Sequence, residues 1–162
     1  MNALVDAETI ESLYRASEAG VEIDLIVRGI CCLRPQLPGR SMHIRVVSIL
    51  GRFLEHSRVW YAANAGEPEY YIGSADWMPR NFDHRVECVV PVEDPELQKR
   101  LAALLDTCLA DNRQAWELSA DGGYAQRAPF DAAECATHKV LLKDSWGLAR
   151  RPSMETTPVF TP

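Results

Sequence analysis

No stretch of this sequence is apolar enough for long enough to cross a bilayer: charge interrupts the longest runs well before the roughly eighteen residues a span requires. The N-terminus also lacks the basic-then-apolar pattern of a secretory signal, so the chain is expected in the cytoplasm, with peripheral membrane association left open. There is no Cys-x-x-Cys among the five cysteines, Cys31, Cys32, Cys88, Cys108 and Cys135. The adjacent pair sits inside an apolar run, which suits reduced, buried thiols better than a disulfide framework. The four histidines, His43, His56, His84 and His138, show no zinc-type spacing with Cys or acidic residues, and no structural metal is expected. Internal repeats and low-complexity blocks are absent as well.

Lysine is missing between Arg28 and Arg85, and what stands in its place is informative. That segment holds eight arginines (28, 34, 40, 45, 52, 58, 80 and 85) against five acids, a balance of +3, so in a chain of net charge −6 the remainder carries −9. A net negative surface argues against binding to nucleic acid as a whole. Arginine concentrated in one segment of an acidic protein fits fixed, bidentate contact with phosphate better than diffuse solubilising charge; surface ion pairing is the alternative. With 162 residues, 47% apolar and 25% charged, the chain has the composition of one globular domain with a real core.

Asp6 caps an expected helix through Ala19, with Ile10, Leu13, Tyr14 and Ala16 or Ser17 on one side and Gly20 ending it. Val21 to Val27 reads as a nearly continuous apolar strand, and a helix feeding such a strand suggests a parallel sheet covered by helices. Arg28 follows at the strand's carboxyl end, the edge where open α/β sheets hold ligands. Leu33 to Met42 is a loop, Ile44 to Ile49 a strand, and Gly51 to Glu55 a turn or short helix. Arg58 to Ala62 and Glu69 to Ile72 form a hairpin across Asn64–Pro68, and Gly73 to Asn81 has little regular propensity. A strand is expected over Arg85 to Val92, a helix from Pro95 to about Gln114 with Asp94 as cap, a short strand at Trp116–Leu118, a turn at Gly122-Gly123, and a helix around Ala132 to Leu142. The domain is placed at 1–128, with a helical extension over 129–150 and a flexible tail over 151–162.

The run Glu55-His56-Ser57-Arg58 carries the chemistry. Alternate residues of a strand share a face, so His56 and Arg58 set an imidazole beside a guanidinium, one able to move a proton and the other to hold an anionic oxygen. A phosphate-handling site is the reading these residues support.

Four motifs then act together: Asn2-Ala3-Leu4-Val5-Asp6, Ile23 through Leu33, Arg52-Phe53-Leu54-Glu55-His56-Ser57-Arg58, and Gly73-Ser74-Ala75-Asp76-Trp77-Met78-Pro79-Arg80-Asn81. In this order and spacing they closely resemble the last domain of bacterial polyphosphate kinase, the type that passes through a phosphohistidine, from Asn2 to about Tyr124. The resemblance implies an α/β fold with a phospholipase D-like sheet flanked by helices. The phospholipase D pattern is a strand-borne His-x-Lys followed by Gly-Ser/Thr-Ala-Asn; here His56-Ser57-Arg58 and Gly73-Ser74-Ala75-Asp76 depart from it, Arg for Lys and Asp for Asn.

By resemblance Arg28, His56 and Arg58 bind nucleotide or phosphate, His56 is the catalytic candidate, and Arg80 and Asn81 support them or serve in structural ion pairing at the sheet edge. The implied reaction is reversible transfer of the γ-phosphate of ATP to polyphosphate, with ATP or ADP as substrate. Mg²⁺ ligands and the phosphorylated histidine are expected outside this segment. The remaining kinase domains are the implied partners, in a full-length homo-oligomer, and the segment alone is expected to be inactive. A free-standing phosphate- or nucleotide-binding module is the alternative. A small phospholipase D-like nuclease ranks last, for want of the lysine.

Overall fold

Asp6 accepts the amide of Thr9 (2.8 Å) and opens α1 (Ala7–Glu18), whose buried face is Ile10, Tyr14 and Ser17. The computed structural model in which this helix appears describes residues 1–143; the expected tail at 151–162, and residues 144–150 of the expected extension, lie outside the described residues. Gly20, at φ +88°, turns the chain out of α1. It then enters β1 (Ile23–Ile26), which pairs in parallel with β2 (Ile44–Ile49). Five of the six β2 residues are buried, as a central strand covered on both faces should be. Val46, Val47 and Ile49 are completely enclosed, and truncating any one to alanine costs about 2–4 kcal/mol by lost contacts and cavity.

β6 (Ala115–Leu118) and β7 (Tyr124–Gln126) complete this four-stranded sheet in the order β1-β2-β6-β7, both antiparallel to their neighbours. The parallel sheet expected from the helix–strand start is therefore limited to one pair. The crossover between β1 and β2 is not a helix. It is the loop 27–43, cross-braced by the buried Ser41, whose hydroxyl donates to Arg34 O (2.7 Å) and accepts from Leu37 N (2.9 Å). Arg34 N donates to the Tyr14 hydroxyl (2.9 Å), which docks the loop on α1.

A second, three-stranded antiparallel sheet holds β3 (Val59–Ala62), β4 (Glu69–Gly73) and β5 (Val89–Pro91). The β3–β4 connection contains a short 3₁₀ turn at Asn64–Gly66, with Asn64 and Ala65 at positive φ. Residues 79–83 form a short helix, α2 (Pro79–Asp83), where no regular structure was expected, because Pro79 stands at its first turn. The strand expected over Arg85–Val92 shrinks to three exposed residues, with Val86 fully in solvent. Gly51–Glu55 forms bends but no helix.

The N-terminal segment joins the two sheets. Met1 O and Asn2 O accept from Arg28 N (3.2 Å) and Gly29 N (2.8 Å), and Leu4 N donates to Ile30 O (2.9 Å) while Leu4 O accepts from Cys32 N (2.9 Å), a parallel extension of β1. On its other side Ala3 O accepts from Trp77 N (3.1 Å), and Val5 N donates to Trp77 O (2.8 Å). Trp77 in turn stacks on Trp60 of β3, 6.5 Å between centroids. All five cysteines are free thiols. The adjacent pair is not buried as expected, since Cys32 is exposed and Cys31 half-buried; Cys108 is the enclosed one, its thiol pushed up to about 12 by burial. No helix among the described residues is long and apolar enough to cross a membrane.

α3 (Pro95–Ala110) is capped by Asp94, which accepts from Glu96 N and Leu97 N, and it stops four residues short of the expected Gln114. Asp111 ends it. Fully enclosed, its carboxylate accepts from Arg113 N (2.8 Å), Gln114 N (2.6 Å), Ala115 N (3.1 Å) and Thr137 N (2.6 Å), tying α3 to β6 and to α4 (Thr137–Lys143). Burial by itself pushes this carboxyl up, but the donors, Thr137 first, outweigh it and hold it below the usual carboxylate range.

A carboxyl depressed in the folded state gives stability that is fully present above its unfolded pKa and is lost as pH falls through the carboxylate range toward the folded value. Asp111→Ala is expected to cost about 3 kcal/mol or more at neutral pH, and Asp111→Asn to flatten the acid limb. Urea unfolding from pH 6 to pH 3 reads both, and a variant whose midpoints follow the parent's at every pH contradicts them.

Candidate functional site

The site begins with a carboxylate that is almost wholly buried. Asp76, 2% exposed, lies on the bend between β4 and α2 and receives Asn2 N (2.7 Å) and Ala3 N (3.2 Å) on Oδ1. Arg58, immediately before β3, closes on it as a fork: Nε to Oδ1 at 3.2 Å and Nη2 to Oδ2 at 2.7 Å. The side chains of this pair are 9% and 3% exposed. Burial pushes the Asp76 carboxyl up, but the guanidinium and the two main-chain amides more than reverse this, leaving it below its ordinary value.

The remaining nitrogen of the fork, Nη1, donates to His56 O (2.7 Å) and to His56 Nδ1. His56 itself is exposed and lines an open pocket of about 390 Å³ together with Arg58, Asp76, Arg80, Asn81 and Asn2. The expected candidates His56, Arg58, Arg80 and Asn81 thus share one cavity. Arg28 does not line it. Its guanidinium holds the Asn2 side chain, with Nε to Oδ1 at 3.0 Å and Nη2 on the same oxygen, so it meets the pocket rim through Asn2. A hydrogen-bonded line runs from Arg28 through Asn2, Asp76 and Arg58 to His56.

Arg58 has a different first task from the phosphate contact expected of it, because the fork a phosphate would need is engaged by Asp76. The two departures from the phospholipase D pattern, Arg for Lys and Asp for Asn, are each other's partner. Asn81, also expected as a supporting residue, is buried and donates its amide to Glu87 Oε1 (2.6 Å), while its Oδ1 has no partner.

Ser74, Arg85, Val86 and Glu87 also line the pocket; Ser74 stood in the Gly73–Asn81 motif and Arg85 in the arginine-only segment, but none of the four was named as a site residue from the sequence. Glu87 accepts from the Ser74 hydroxyl and from Asn81, and these two bonds, Ser74 first, hold its carboxyl below the usual range. Both pocket carboxylates are therefore already partnered. Neither Arg80 nor Arg85 forms a salt bridge among the described residues, which leaves two free guanidiniums beside His56. The signal for Arg85 and Glu87 was their i, i+2 spacing at the start of the strand expected over Arg85 to Val92, although the observed β5 begins only at Val89.

No three His, Cys, Asp or Glu side chains among the described residues converge as a metal site. With Asp76 held by Arg58 and Glu87 by Ser74 and Asn81, the pocket does not fit a resident Mg²⁺, and no step is drawn through one.

A family model described as polyphosphate kinase C-terminal domain 2 matches residues 1–138. The polyphosphate kinase of Thermosynechococcus vestitus is 61% identical over 143 residues, covering 88% of this chain and 20% of that protein. That of Synechocystis is 63% identical over 142 residues, with the same coverage of 88% and 20%. The crystal structure of polyphosphate kinase from Porphyromonas gingivalis aligns at a TM-score of 0.86 and 43% identity, covering 91% of this chain and 22% of that one. The chain spans about a fifth of the length of the curated relatives it matches.

Removing one member of a buried pair strands the other charge. Asp76→Ala and Arg58→Met are each expected to cost about 3–5 kcal/mol, and the double variant less than their sum, as a denaturant double-mutant cycle will show. Additive losses would mean that the two groups are energetically independent.

Proposed function

Because this chain belongs to the polyphosphate kinase family, as C-terminal domain 2, we propose that it is the nucleotide- and phosphate-binding half of the active site of an ATP:polyphosphate phosphotransferase. In the full-length protein the γ-phosphate of ATP passes reversibly to the end of a polyphosphate chain, through a histidine borne by another domain. The observation that carries this reading is the joint presence of His56 and two unpaired guanidiniums, Arg80 and Arg85, around a pocket whose carboxylates are both engaged.

Phosphoryl transfer asks little covalent chemistry of a protein and much positioning and charge stabilisation. Arg80 and Arg85 supply positive charge for the anionic oxygens. His56 meets the group in transfer. Arg28 holds Asn2 at the rim, where nucleotide phosphate would reach it. Arg58 and Asn81 position their neighbours. Mg²⁺, where the reaction uses it, is bound by ligands outside this domain. The partners are ATP or ADP, polyphosphate and the remaining domains of a full-length homo-oligomeric kinase in the cytoplasm.

Calorimetry on the chain with ADP and with polyphosphate tests the binding half. Both are expected to bind, with affinity falling as salt rises, and Arg85→Ala or Arg80→Ala to weaken binding roughly fivefold or more, the loss of one charge-assisted contact. The chain alone should not turn over. In the full-length enzyme His56→Ala is expected to slow transfer by about a hundredfold or more. Unchanged affinities in both arginine variants together with near-normal rates in the histidine variant would remove this pocket from the reaction.

A further inference from the structure

A guanidinium has N–H groups and no lone pair, and it stays protonated at any pH a protein survives. Any ring nitrogen that it contacts must therefore accept. Arg58 Nη1 contacts Nδ1 of His56, so in the neutral imidazole the lone pair is on Nδ1 and the proton on Nε2. The assignment is reinforced by what holds Arg58. Its Nε and Nη2 are fixed edge-on to Asp76, Nη1 also donates to His56 O at 2.7 Å, and Asp76 is anchored to the main chain at Asn2 and Ala3. The planar fork is thus held in place beside the exposed ring. A lysine could not replace it, since one ammonium cannot meet two carboxylate oxygens, a carbonyl and an imidazole in one plane.

We propose that Arg58, itself held by Asp76, is the positioning residue that sets the tautomer of His56, so that the ring presents an Nε2–H donor on the pocket side. His56 then serves the transferred phosphate as a hydrogen-bond donor that keeps its proton throughout the cycle. A proton added at Nδ1 would set a second donor against Nη1, so a cycle that made His56 an imidazolium would have to break the Arg58 contact. The pocket role of the donor rests on the function proposed above; the tautomer does not.

The two parts are therefore read separately. Histidine-selective ¹⁵N NMR of this chain above pH 7.5, with His56 assigned by its disappearance in His56→Gln, is expected to show one protonated and one unprotonated nitrogen in the Nε2–H pattern. Arg58→Lys, or Asp76→Asn if the first does not fold by circular dichroism, should convert this to a mixture of tautomers. An Nδ1–H form or an equal mixture in the unaltered chain overturns the assignment, as does a folded Arg58→Lys with the Nε2–H pattern intact. For the pocket role, the amide of His56→Gln can supply a donor near the Nε2 position but cannot shuttle a proton. In the full-length enzyme it should retain transfer within about tenfold, while His56→Ala loses about a hundredfold or more, the usual effect of deleting one preorganised donor. Equal loss in both variants overturns the donor role and leaves the tautomer standing. Near-normal transfer in both overturns the pocket reading itself.

Discussion

One nearly water-free ion pair, Arg58 with Asp76, sits where three otherwise separate pieces of chain meet: the N-terminal segment, the first strand of the three-stranded sheet, and the bend after its second. Taking both charges out of water costs several kcal/mol each, and such pairs offset that cost only when geometry is good and spare lone pairs are satisfied. Here the fork is bidentate, and two main-chain amides complete the carboxylate's shell. The same N-terminal segment is laddered to residues 28–32 on its other side. The pair therefore fixes how one sheet stands against the other, and with it where His56 lies.

This explains why the departures from the phospholipase D pattern come together. Lysine and asparagine can each act singly, as a point charge and an amide. Arginine and aspartate complement each other in charge and shape, and in the interior neither is tolerable without the other. The exchanged pair serves as a scaffold, while Arg80 and Arg85, which line the same pocket, form no salt bridge among the described residues.

Elements whose signals are local were legible in the sequence. Asp6 and Asp94 act through side chains a few residues from the amides they cap, so α1 and α3 could be read in place. The β-branched residues of Ile44–Ile49 fit the strand read there, and the His-x-Arg pair marked the pocket. What was missed depends on distant partners. α3 stops early because Asp111 is occupied by amides as far away as Thr137. β5 is short because Glu87 is held by Ser74 and Asn81. β7 exists only as a partner for β6. The expected parallel sheet is limited to one pair, because α1 precedes that pair without linking it; the crossover is a loop, and nothing in its composition announced that Ser41 would brace it.

The charge of the whole molecule and the charge of the pocket point in opposite directions, and distance decides between them. At physiological ionic strength the field of an exposed charge fades over about 8 Å, so acids farther away than that add little at the pocket. Lining the pocket are three guanidiniums and two carboxylates. One carboxylate is neutralised by Arg58 in low dielectric, where the pair's field is largely internal. The other is partnered by a hydroxyl and an amide, which stabilise its charge without cancelling it. Three guanidiniums against two carboxylates leave one positive charge in excess among the lining side chains. The pocket's charge is set by a few guanidiniums at contact range, which is why the arginine-only segment was a better guide to this site than the net charge of the chain.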